Sequence, residues 1–268
     1  MKYNSEEWVV GGPERVGNPF DDTIFSRILE AVDRIQQMSN EMDYIAVIEY
    51  NLKDFTCSTK TAGADGRSDY IRLNCSFSNF LNSFYTWKWY HNRVCKTSFL
   101  RLLERYRKKY VAYRLGERLR NYTTHKGFAI TARRYNVIHE SAYYIIKPRE
   151  LLEWEDPDYK LNATLKKWLN EQDESRMPIN ACTFATEFYQ ICRDIQRDIW
   201  SKKKQQVHDD LSIIFAILPD GFSNIYNVSV SSEDQSVHIG IGQIIAQFLK
   251  KAAYQHPEFI PDSYMGRF

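Results

Sequence analysis

Three side chains near the middle of this 268-residue chain have the types needed for metal-free phosphodiester chemistry. They are Arg120, Asn121 and His125, in the run LRNYTTHKG. Cleaving an RNA backbone without a metal requires deprotonating a 2′-hydroxyl, stabilising the phosphorane and protonating the leaving 5′-oxygen. An imidazole, with an ordinary pKa of about 6.5, can take or give a proton near neutral pH. A guanidinium is permanently charged and grips phosphate oxygens with a planar fork of donors. An amide does not titrate but can orient either partner.

The spacing adds geometry. On a helix Asn121 and His125 are i, i+4 and share a face, while Arg120 and His125 lie about 140° apart. One copy is therefore an awkward site. Cations also favour helix C-termini for a simpler reason, the dipole. A second Arg-x-x-x-x-His match, Arg134 to His139 in RYNVIH, falls in a β-like segment and is read as accidental.

These residues need a helix to carry them. Residues 68–92 and 97–125 read as two long amphipathic helices with a short connection, an antiparallel pair. Phe77, Phe80, Leu81, Phe84 and Trp87 stripe the first; Phe99, Leu103, Tyr106, Tyr110, Tyr113 and Leu119 stripe the second. Gly127 stands where a helix stop is expected. Residues 1–22 read as irregular, followed by a helix to about Asn40, and Tyr44–Tyr50 as either a strand or its continuation. Residues 128–148 read as strands and 149–154 and 159–170 as short helices, with an acidic turn WEDPD between. A long helix is expected from Pro178 to about Val207. LSIIFAIL, NIYNVSVS and SVHIGI read as strands and 243–255 as a helix.

An Arg-Asn pair followed by a His near the end of an amphipathic helix resembles the signature of the HEPN superfamily, helical proteins that include many metal-independent ribonucleases. The resemblance covers about Ser68–Lys126; 159–170 and 178–207 would supply the rest of a core. It implies a mainly α (α+β) fold: a HEPN-like four-helix core over 67–207 with a β insertion near 128–148, an N-terminal helical extension (1–66) and a small C-terminal α/β segment (208–268). It further implies a homodimer whose two motifs face each other in one composite cleft. His125 would be the general acid/base, Arg120 the phosphate clamp and Asn121 the orienting group, leaving a 2′,3′-cyclic phosphate end. No cofactor or metal is called for. The expected setting is a cytoplasmic toxin or phage-defence effector, with RNA as partner and an antitoxin or sensor protein nearby. The alternative is a catalytically inactive HEPN-like module that binds RNA or scaffolds a partner.

Around the motif, Arg114, Arg118 and Lys126 are candidate RNA contacts. With Arg101, Arg105, Arg107, Lys108 and Lys109 they form either a track for an RNA backbone or a solvated face balanced by Glu104 and Glu117. Tyr85, Trp87, Trp89, Tyr90 and His91 could stack bases or serve packing.

Composition narrows the field. The chain has 36 basic and 34 acidic residues, so it is no globally basic coat. Its 11 Gly and 8 Pro are too few for a linker or collagen-like chain. No apolar run is long enough for a membrane span and no leader pattern opens the sequence, so no membrane association is expected. Five cysteines without C-x-x-C spacing suggest reduced thiols. His208-Asp209-Asp210 reads as a polar turn rather than a metal site, and Gly240-Ile241-Gly242 lacks the rest of a dinucleotide fingerprint. Cys95, four residues after His91, lacks a third group to orient a thiol catalyst.

Overall fold

The computed structural model describes residues 9–11, 14–16, 20–61, 67–94, 96–136, 141–156, 160–172, 178–217, 228–231, 238–257 and 260. The protein is mainly helical. Its contacts divide it into two units, 1–43 with 197–268 and 44–196. This differs from the sequential division at 66 and 207, because two long helices, α1 (Asp22–Thr61) and α7 (Ala181–Ser201), each contribute to both units.

In the first unit, α1 is capped by Asp21, whose carboxylate accepts the Thr23 and Ile24 amides. Phe25, Ile28, Val32 and Ile35 of α1 share a core with Trp200, with Leu211 and Ile214 of α8 (Lys204–Ala216) and with Ile245, Phe248 and Leu249 of α9 (Gly242–Gln255). LSIIFAIL reads as a strand, but its first six residues, Leu211 to Ala216, belong to α8. The buried positions Val207, Leu211, Ile214 and Phe215 keep helical spacing despite the β-branched run. His208-Asp209-Asp210 likewise sits in α8, not in a turn. Asp210 is buried and takes a bidentate grip from Arg34, at 2.8 Å to Nη2 and 3.1 Å to Nε. Instead of being wholly irregular, the N-terminal stretch contains β1 (Val9–Gly11) and β2 (Glu14–Val16). They join β6 (Val228–Ser231) and β7 (His238–Gly240) in a sheet of order β1-β2-β6-β7, with β2 and β6 parallel.

The second unit holds the motif. Tyr44–Tyr50 is helical: Ile45, Ile48 and Phe55 are buried at three- and seven-residue spacing along α1, past the expected end at Asn40. Phe55 meets Phe77 of α2 (Arg67–Val94) at 5.0 Å between ring centroids. Phe84 of α2 packs on Phe188 of α7 at 4.7 Å and on Tyr113 at 5.7 Å. Gly116 lets the neighbouring helix approach α7 closely, since a Cβ there would lie 2.2 Å from the Phe188 ring.

The expected single helix over 97–125 is two: α3 (Lys96–Lys109) and α4 (Val111–His125), separated by Tyr110 in an extended conformation (φ −115°, ψ 121°). The apolar stripe runs through the break, so periodicity does not reveal it. A charge pair does. Arg107 binds Glu117 bidentately at 2.9 and 3.0 Å. Ten residues of straight helix would separate them by about 15 Å. The bend at Tyr110 is what brings them together.

After α4, β3 (Ile130–Asn136), β4 (Ser141–Ile146) and β5 (Ile179–Asn180) form an antiparallel sheet. Buried Asn74 of α2 anchors its start by bonding both the amide and the carbonyl of Ile130. Helices α5 (Pro148–Glu153) and α6 (Ala163–Glu171) lie between β4 and β5, the latter helix capped by Asn162. Residues 62–66, Cys95, His139, the end of WEDPD and residues 218–227 lie outside the described residues. No helix is long and apolar enough to cross a membrane among the described residues.

Candidate active site

The motif closes α4. Backbone amides of Lys126 and Gly127 both bond the Tyr122 carbonyl, and Gly127 takes a φ of +147°, a conformation side-chain-bearing residues rarely adopt. Thr123 and Thr124 hydroxyls both bond back to the Arg120 carbonyl, at 3.0 and 2.9 Å. The last turn is thus pinned by its own side chains.

Arg120 is half-buried. Its guanidinium carbon stands 3.8 Å over the Tyr85 ring of α2, and its Nη1 donates to Asn121 Oδ1 at 3.2 Å. The Nε of Arg120 is buried and has no hydrogen-bond partner among the described residues. Asn121 in turn donates from Nδ2 to Asp156 Oδ2 at 3.1 Å. These two bonds orient the amide, with the oxygen toward the arginine and the nitrogen toward the carboxylate. The His125 side chain is exposed and makes no hydrogen bond among the described residues. The structure thus joins Arg120 and Asn121 by a hydrogen bond and shows none from the His125 side chain to either among the described residues.

Asp156, from the turn after α5, does more than hold Asn121. Its side chain is fully buried and lies 3.5 Å from Arg118 Nη1. Arg118, 1% exposed, also donates to the carbonyls of Leu151, at 2.8 Å, and Trp154, and stacks 4.2 Å over the Trp154 ring. The chain Arg118–Asp156–Asn121–Arg120 ties the motif to the α5 turn.

Two of the three candidate RNA contacts need correction. Arg118 is enclosed by its own backbone and aromatic partners, and Arg114 is 6% exposed, so neither presents a guanidinium to a backbone phosphate. Both sit on the α4 stripe that packs inward. Lys126 is exposed as expected. Of the earlier basic run, Arg107 is engaged by Glu104 and Glu117, while Arg101, Arg105, Lys108 and Lys109 are exposed. Burial pushes the Glu117 carboxyl up, but the Arg107 hydrogen bonds and the charges of Lys88 and Arg107 outweigh it and hold the group below the ordinary carboxylate range.

Sequence reasoning passed over Asp156, reading WEDPD only as an acidic turn. Its partner lies 35 residues away, and no local signal marks that pairing. Among the described residues no group of three or more His, Cys, Asp or Glu is placed to hold a metal ion. Against protein-family models, curated proteins and solved structures, the chain finds no match.

Proposed function

We propose that this protein is a metal-independent endoribonuclease of the HEPN type, acting as a homodimer in a toxin or antiviral-defence role. The observation that carries this reading is the state of the motif: Arg120 held by Tyr85 and Asn121, with His125 exposed and uncommitted one turn on. A guanidinium held by a ring face and one amide oxygen keeps donors available for a phosphate. An exposed imidazole at a helix end is accessible to a ribose hydroxyl or a leaving oxygen.

The motif carries one imidazole per protomer, and a second copy completes the set. With the motifs facing, each cleft would hold two arginines and two imidazoles, one to accept the 2′-hydroxyl proton and one to protonate the 5′-oxygen. Arg120 would neutralise the charge that builds on the phosphorane. Asn121, its amide fixed by Asp156, would keep Arg120 in register. Lys126 would add an exposed charge for the RNA backbone.

One observation favours the second reading, an inactive HEPN-like module that binds RNA or a partner. Asn121 and the neighbouring Arg118 are joined through Asp156 in a cluster that would also serve folding alone. Incubating the purified protein with total RNA in EDTA separates the two. Cleavage that persists under chelation and is lost in His125→Ala supports the enzyme. Intact RNA with retained binding supports the module.

A further inference from the structure

We infer that the exposed face of α2 beside the motif is a stacking platform for unpaired RNA, with Tyr85 and Trp89 receiving bases and Arg120 and Arg93 their phosphates. This rests on the RNA-directed reading above, but not on cleavage. The aromatic cluster at 85–91 is divided by the fold. Trp87 and His91 are buried at 0% and 2% exposure, and their side chains meet at Gln196. Tyr90 stacks on Tyr44 at 4.4 Å. Tyr85 and Trp89 remain 44% and 52% exposed. Both carry a guanidinium, Arg120 at 3.8 Å over Tyr85 and Arg93 at 5.6 Å over Trp89. Bases stack on aromatic rings and on guanidinium planes alike.

Charge and spacing select the occupant. From Tyr70 to Val94, α2 has no Asp or Glu; Lys88 is paired with Glu117 at 2.5 Å, and the exposed cations are Arg72 and Arg93, which suits a polyanion. The exposed neighbours Asn82 and Thr86 are polar, unlike the apolar centre of a protein interface. Tyr85 and Trp89 are i, i+4, about 6 Å apart along the helix axis. Bases within a stacked strand repeat at about 3.4 Å. A strand that engages both rings must unstack between them, which a single strand does readily and a duplex does not. The platform therefore selects unpaired RNA.

The test uses the full chain carrying His125→Ala, so that substrate survives. Fluorescence anisotropy would follow a labelled 12-nucleotide single strand, and the same strand annealed to its complement. The single strand should bind at least about tenfold more tightly than the duplex. Trp89→Ala should weaken single-strand binding about 5- to 100-fold, and Trp89→Phe should recover most of it. Unchanged affinity in Trp89→Ala, equal affinity for duplex, or no single-strand binding would overturn the platform. So would a changed oligomeric state of Trp89→Ala in sedimentation, which would assign the face to a second copy of the chain. Cleavage assays on the His125-containing protein keep the readings apart. Binding that depends on Trp89 without cleavage sinks only the ribonuclease. Cleavage whose KM ignores Trp89 sinks only the platform.

Discussion

Replacing Asp156 by Asn probes the link that ties the motif to the rest of its unit. The Asp156 and Arg118 side chains are 0% and 1% exposed, so the substitution strands a cation out of water. Breaking one side of a buried pair typically costs about 3–5 kcal/mol. Two features place this case at the lower end. Asparagine can still accept the Asn121 amide, and Arg118 keeps the Leu151 and Trp154 carbonyls and the Trp154 ring. A cost of about 3 kcal/mol lowers the melting temperature by about 6–12 °C, at about 2–4 °C per kcal/mol for a chain of this size. Calorimetry is the suitable assay, because it resolves a second transition if the two units melt separately. Arg118→Met in the same background removes the stranded charge, so the double variant should be clearly less destabilised than the sum of the singles. A shift under 2 °C for Asp156→Asn, or strict additivity, would refute the buried pair.

Other consequences are open to equally direct tests. Gly116→Ala drives a methyl into the Phe188 ring, with contacts of 2.2 to 2.7 Å, and should cost about 1–3 kcal/mol in unfolding experiments unless α4 and α7 move apart. Glu117 should make the protein acid-labile. Its folded carboxyl titrates below the ordinary value of 4.5, so its contribution is complete above that pH and is lost as pH falls through the lower folded value. Melting temperatures taken from pH 6 to pH 3 should therefore fall more steeply for the parent than for Glu117→Gln; parallel curves would count against the Arg107–Glu117–Lys88 cluster.

The sequence made the helical character legible wherever burial follows a single stripe, as in α2 and α7, although the helix expected over Pro178 to Val207 runs only from Ala181 to Ser201 and α8 starts anew at Lys204. It was silent where two elements share one stripe. Phe99, Leu103, Tyr106, Tyr110 and Tyr113 keep helical spacing across the bend, and only the Arg107–Glu117 pair, a tertiary contact, reports it. LSIIFAIL misled because Ile213 and Ile214 suit a strand locally, while burial of Val207, Leu211 and Ile214 decides for helix. At the candidate site, residue types and helical spacing singled out Arg120, Asn121 and His125. They could not separate an exposed cation from a buried one on the same helix. Arg114, Arg118 and Lys126 look alike in sequence, yet the first two are buried and the third is exposed. Asp156 and the role of Tyr85 under Arg120 emerge only from chain packing.

If the motif at the end of α4 cuts RNA by 2′-hydroxyl attack, as proposed, the products carry the record in their ends. The most direct measurement is end-group analysis, by mass spectrometry, of RNA incubated with the parent protein and with His125→Ala, both in EDTA. The parent should leave 2′,3′-cyclic phosphate ends, and the variant should leave the RNA intact. Fragments that His125→Ala produces equally well, or that carry 3′-hydroxyl ends, would contradict that mechanism.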